Sequence, residues 1–123
     1  IFYRNYALYN TDVLDITAMQ AGGQLLEGRH NFKSFCASGS SAKTFERSIY
    51  RCKVIENEPF LCLEIKADGF LYNMVRIIMG TLLEIGRGNY QPETIEEIIT
   101  AQDRSYAGPT VPPQGLYLVK VEY

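Results

Sequence analysis

Histidine is nearly absent from this 123-residue sequence, which holds only His30, and cysteine is sparse, with Cys36, Cys52 and Cys62 and no C-x-x-C pair. Without a second histidine or a paired cysteine the ligand set of a zinc site is missing, so no metal is expected. An odd number of thiols cannot close a disulfide framework either. They read as reduced thiols, which points to a cytoplasmic protein.

A surplus of positive charge is also lacking. Twelve Lys and Arg stand against fourteen Asp and Glu, a formal net charge of -2, so the molecule as a whole is not the polycation that would announce nucleic acid. The distribution says more than the sum. From Arg29 to Lys53 the bases Arg29, Lys33, Lys43, Arg47, Arg51 and Lys53 face the single acid Glu46, whereas Glu93, Glu96, Glu97 and Asp103 gather later. One part of the surface is expected to be basic and another acidic.

No apolar stretch runs far enough without interruption to cross a bilayer. The longest lies between Asp68 and Glu84 and contains Gly69, Asn73, Arg76 and Gly80, so no membrane partner is expected. The sequence opens on Ile1-Phe2-Tyr3 without a methionine and is expected to be a piece of a longer protein. What is present suffices for one domain over residues 1–123, because 46% of the residues are hydrophobic, enough for a genuine core.

Residues Ile1 to Tyr9 are aromatic and suit a short strand or an extended lead-in. Asp12 or Asp15 can cap a following helix, in which Leu14, Ala18, Met19, Ala21, Leu25 and Leu26 recur at helical spacing until Gly28 stops it. Gly22-Gly23 weaken that helix unless another backbone approaches them closely. His30 to Phe35 suit a turn or short helix that buries Phe32 and Phe35, and 37–42 form a small, polar loop that ends at Lys43. From Thr44 to Glu56 the alternation predicts a strand with Tyr50, Cys52 and Val54 on one face and Arg47, Ile49, Arg51 and Lys53 on the other. After Asn57-Glu58-Pro59, the alternation of Leu61, Leu63, Ile65 and Ala67 completes a hairpin.

In the apolar stretch, Leu71, Met74, Val75, Ile78, Leu82 and Ile85 fall on one helical face, and Gly86-Arg87-Gly88 ends the helix. Pro92 opens a short amphipathic helix with Ile95, Ile98 and Ile99. Residues 107–115 hold three prolines and must form a stiff loop. Leu116 to Tyr123 read as a closing strand. The order helix, strand, strand, helix, helix, strand implies an α+β fold, a largely antiparallel sheet with helices packed on one face.

Arg76 is the one charge inside the apolar helix. A guanidinium that loses water without a partner costs several kcal/mol, so Arg76 needs a carboxylate, a phosphate or a water-lined cleft. One reading is a snorkelling side chain. The other is an anchor for a catalytic carboxylate or an RNA phosphate. Within this chain the partners open to it are solvent, a bound anion, Glu64, Asp68, Glu84 or Glu122.

Several segments in this order and spacing carry a resemblance: Leu14-Asp15-Ile16 with Met19, Leu26-Glu27-Gly28 with His30-Asn31-Phe32 and Phe35, and Gly69-Phe70-Leu71-Tyr72-Asn73-Met74-Val75-Arg76. Gly80-Thr81-Leu82-Leu83-Glu84 with Gly86-Arg87-Gly88, and Ala107 to Val121, complete the set. Together they resemble the C-terminal half of TruA-type tRNA pseudouridine synthases. The resemblance implies the C-terminal domain of a pseudouridine synthase fold, in an enzyme that isomerises uridine in the anticodon arm of tRNA. It further implies an aspartate nucleophile, no cofactor, and assembly as a homodimer.

The family's aspartate motif, like R-T-D-A-G-V-H, and its Y-x-Y strand are absent here, and neither Tyr3 nor Tyr6 is expected to replace that tyrosine. The chain alone is therefore expected to be inactive until it meets the N-terminal half of the same protein. The resemblance puts Arg76 at the arginine that pairs with the catalytic aspartate, and Phe70 and Leu71 at the wall of the uracil pocket. Lys33, Lys43, Arg47 and Arg51 are the expected RNA-binding residues. His30 is expected to make a structural hydrogen bond. The family often has histidines where this sequence has Tyr72 and Asn73. Two alternatives remain: an RNA-binding module without chemistry, and a protein-interaction module using the apolar stretch as an exposed patch.

Overall fold

The computed structural model describes residues 1–10 and 13–113, and the backbone of 116–121. Its sheet has the order β2-β3-β4-β1-β5, with β1 at Phe2–Tyr9, β2 at Gly28–Asn31, β3 at Glu46–Asn57, β4 at Phe60–Ala67 and β5 at Leu116–Val121. Every pairing is antiparallel. Three helices, α1 at Ile16–Leu26, α2 at Met74–Gly86 and α3 at Thr94–Ala101, join it in one hydrophobic core. This is the expected α+β architecture. The lead-in proves to be a full strand, and a central one, between β4 and β5.

On β4 the inward set is Leu61, Leu63, Ile65 and Ala67, all buried, while Cys62, Glu64 and Lys66 alternate with them. Strand β3 departs from the predicted alternation. Ile49 pairs with Ala67 and Arg51 with the adjacent Lys66, so Tyr50 is an extra residue in the ladder. Such a bulge turns the side chains after it onto the opposite faces. Ile49 is consequently buried together with Cys52 and Val54, and Tyr50 is exposed. The predicted assignment of Tyr50 to the inner face and Ile49 to the outer one is thereby corrected. Arg47, two residues before Ile49, lies on the helix side of the sheet, whereas Arg51 and Lys53 do not share that side.

Helix α1 begins where Asp15 caps it, accepting from the Ala18 amide at 3.0 Å; Asp12 lies outside the described residues. Its two glycines serve close approach. A β-carbon on Gly22 would stand 2.8 Å from Ile85 of α2, and one on Gly23 would stand 3.3 Å from the carbonyl oxygen of Cys52 on β3. Beyond residue 49, β2 no longer covers β3, and α1 side chains take over. Gln20 donates to the Cys52 carbonyl at 3.2 Å and accepts from the Val54 amide at 2.7 Å, and Glu27 accepts from the Cys52 amide at 2.9 Å.

Helix α2 starts at Met74, later than the apolar periodicity suggests, because Asn73 before it takes a left-handed conformation with φ 60°. Asparagine is among the few residues that tolerate that region. Met74, Val75, Ile77, Ile78, Met79, Leu82, Leu83 and Ile85 are buried, each worth about 1.5–3 kcal/mol when fully withdrawn from water. The stretch is thus interior, which removes the exposed patch on which the protein-interaction alternative rested. Gly88, at φ 84°, ends the helix, its amide donating to the Ile85 carbonyl at 3.0 Å.

Candidate active-site cleft

The loop after α3 docks along α2. Thr81 donates to the Ile77 carbonyl at 2.8 Å and accepts from the Gly108 amide at 2.9 Å. Glycine at position 80 leaves room for the Pro109 carbonyl, and an added β-carbon on Gly108 would stand 2.8 Å from the Thr81 Cα. One turn earlier the helix and loop exchange two bonds: the Val111 amide donates to the Arg76 carbonyl at 3.3 Å, and Arg76 Nε donates to the Val111 carbonyl at 2.8 Å. Tyr6 of β1 then reaches the Pro112 carbonyl with its hydroxyl at 2.6 Å. Burial pushes the Tyr6 phenol up, against the opposing effect of the Arg76 charge, so Tyr6 here is a structural strut.

Arg76 is half-buried. Besides Val111 it donates from Nη1 to the Asn73 side-chain oxygen at 2.8 Å. Its bonds among the described residues go to neutral oxygens. Of the acids open to it, Asp68 accepts from the Ser48 amide and pairs with Arg29, and Glu84 holds Arg87 and Asn89. Glu122 lies outside the described residues. The left-handed turn at Asn73 is what aims its amide back at Arg76, one helical turn on.

Arg76 lines a cleft of about 290 Å³ together with the rest of residues 70–76, Arg4 and Pro113. Phe70 is half-buried there and Leu71 is buried. The structure therefore gathers Arg76, Phe70 and Leu71 around one space. It adds Arg4, whose guanidinium carbon stands 5.6 Å from the centre of the Phe70 ring. No motif marks Arg4; only its strand register, opposite the inward Ile65, places it on the helix side.

The predicted RNA-facing residues separate. Arg47 borders a groove of about 340 Å³ that shares Phe70, Leu71 and Tyr72 with the cleft and is closed by the small residues 39–42. Lys43 is exposed just beyond that loop. Lys33 sits 5.7 Å over the Phe45 ring and lines a different groove with residues 36–40 and 101–104. Arg51 borders a third, between α1 and β3. His30 donates from Nε2 to the Glu27 carbonyl at 2.9 Å and packs edge-on against Phe32. Among the described residues no cluster of His, Cys, Asp and Glu could hold a metal ion, and no helix is long and apolar enough to cross a membrane.

A family model described as tRNA pseudouridine synthase matches residues 23–123. The chain is 63% identical over 122 residues to tRNA pseudouridine synthase A of Syntrophomonas wolfei, an alignment covering 99% of this chain and 49% of that protein. It is 47% identical to the protein of the same name from Moorella thermoacetica, over 100% of this chain and 50% of the relative. The corresponding figures for Geobacillus kaustophilus are 45%, 100% and 48%. The chain spans about half the length of the curated relatives it matches. On the strength of the family match and these identities, the chain belongs to the tRNA pseudouridine synthase family.

Proposed function

We propose that this chain is the C-terminal half of an enzyme that isomerises uridine to pseudouridine in the anticodon arm of tRNA. The observation that carries the reading is Arg76, held by neutral oxygens at the edge of a cleft walled by Phe70 and Leu71. A guanidinium whose described contacts are all neutral keeps its charge uncompensated, and an aspartate from the N-terminal half of the same protein would balance it. An arginine within about 4–6 Å lowers an Asp pKa by about 1–3 units, which keeps the nucleophile ionised at neutral pH. The uracil ring would lie against Phe70 and Leu71 while its glycosidic bond is broken and remade to C5. No cofactor is called for.

Arg47, with Lys43 beside it, borders the same 70–72 segment and suits the phosphates flanking the cleft. Lys33 and Arg51, in separate grooves, would meet more distant parts of the RNA. Reduced thiols and a tRNA substrate suit the cytoplasm, and the reading includes assembly of the whole protein as a homodimer.

The test joins this chain to a TruA-type N-terminal half and measures tritium release from tRNA labelled at uridine C5. Release is expected from the joined protein and not from this chain alone. Arg76→Lys, which keeps the charge but loses the planar fork, should lower turnover by a hundredfold or so, about 2.7 kcal/mol, with near-normal tRNA affinity. Equal loss of turnover and affinity would favour a binding role instead, and no release from the joined protein would sink the reading.

A further inference from the structure

Arg4 brings a second guanidinium to the Arg76 cleft, and one of its nitrogens is unused. Nη1 is buried and has no hydrogen-bond partner among the described residues. A buried charged donor left unpaired costs more than the about 1–3 kcal/mol of a neutral one, so an arrangement of this kind is stable only when something else supplies an acceptor. Stacking on Phe70 does not supply it. Aromatic contact engages the flat face of a guanidinium, while its N–H groups point outward in the plane.

The backbone gives this side chain its direction. Where the ladder between β1 and β5 shifts register, Tyr3 pairs with Lys120 but Arg4 with Leu118, so the extra residue lies on β5. The pairing of β1 with β4 runs unbroken, and Arg4 stands opposite the buried Ile65. Facing residues of an antiparallel pair share one side of the sheet, and Arg4 is the residue of β1 that lines the cleft.

The charges around the cleft narrow the choice of acceptor. The described lining of the cleft contains two guanidiniums, Arg4 and Arg76, and no carboxylate. On the reading proposed above, on which this step rests, Arg76 is committed to the incoming aspartate. One positive charge is left over, and an RNA substrate brings one phosphate with every nucleotide. We propose that Arg4 is a phosphate anchor, donating to a non-bridging oxygen of the RNA backbone beside the uridine held against Phe70. By stacking on that ring it also fixes the pocket wall relative to the anchored backbone.

The experiment uses the joined, active protein and an anticodon-arm RNA carrying one neutral methylphosphonate next to the uridine that is isomerised, on either side in turn. At one of the two positions the neutral linkage should raise KM about tenfold with kcat within about twofold, and lower the slope of log affinity against log salt by about one. Arg4→Gln should do the same to the natural RNA, and in Arg4→Gln the neutral linkage should cost nothing more, the signature of two partners in one contact. Wild type indifferent to both neutral linkages overturns the anchor without recourse to any variant. So does a loss of kcat in Arg4→Gln at unchanged salt slope, which would assign Arg4 to a carboxylate of the other half. No tritium release from wild type overturns the isomerase reading itself, and the anchor with it.

Discussion

At the scale of single residues, the cysteines show how burial sets chemistry. Cys52 is wholly enclosed between β3 and α1, and burial first, then the nearby Glu27 charge, pushes its thiol from 9.0 up to about 12. Cys62 is also raised, by burial and by Glu64. A folded-state pKa above the unfolded one means that stability is complete below about pH 9 and falls as the unfolded chain alone ionises. Above pH 9, stability should drop by about 1.4 kcal/mol per pH unit through this group. Urea midpoints from pH 7 to 10.5 would read it against Cys52→Ala, in which this component of the slope should vanish. Equal slopes would show the thiol to be accessible. Asp103 behaves oppositely: its bonds from the Ser105 amide and hydroxyl hold the carboxyl below its usual range, so its contribution is lost only in acid.

At the scale of elements, the seam between α2 and the 107–113 loop is decided by the smallest side chains. Gly80→Ala would place a methyl on the Pro109 carbonyl, with rigid backbone on both sides. Overpacking of this kind costs about 1–3 kcal/mol or more. The expected result is a urea midpoint lower by that amount and a loss of turnover in the joined protein beyond it, because the loop that lifts away carries the Val111 acceptor of Arg76. A Gly80→Ala protein as stable as wild type would contradict the docking described. Elements of this size were legible in the sequence wherever one period ran unbroken: β4, α1 with its Asp15 cap, the Gly88 stop and α3. They were illegible where a local device interrupts the period. The bulge at Tyr50 swaps faces within β3 without any proline or glycine to mark it. The short β2 has no β-branched or aliphatic residue to mark it and is recognised by its register with β3. Asn73 delays α2 by a left-handed residue that apolar spacing cannot reveal.

At the scale of the whole molecule, the site is assembled from residues distant in the chain. Arg76, Phe70 and Leu71 are adjacent in one motif and were readable together, but Arg4 arrives from the first strand because β1 inserts between β4 and β5. Pairing of distant strands carries no local pattern, so that neighbour could not be read from spacing. The basic surface was half legible for the same reason: the bases of β3 look continuous in sequence, and the bulge divides them between two sides.

The Gln20 amide stands where another strand would lie, occupying one carbonyl and one amide of β3 just past the end of β2. It works as a molecular stopper against growth of the sheet, since an unsatisfied edge is a template for a second chain. Gln20→Ala should therefore leave the chain folded yet prone to stacking copy upon copy, seen as light scattering that climbs with protein concentration while wild type stays clear. If both remain clear, the open margin is guarded by something other than this one amide.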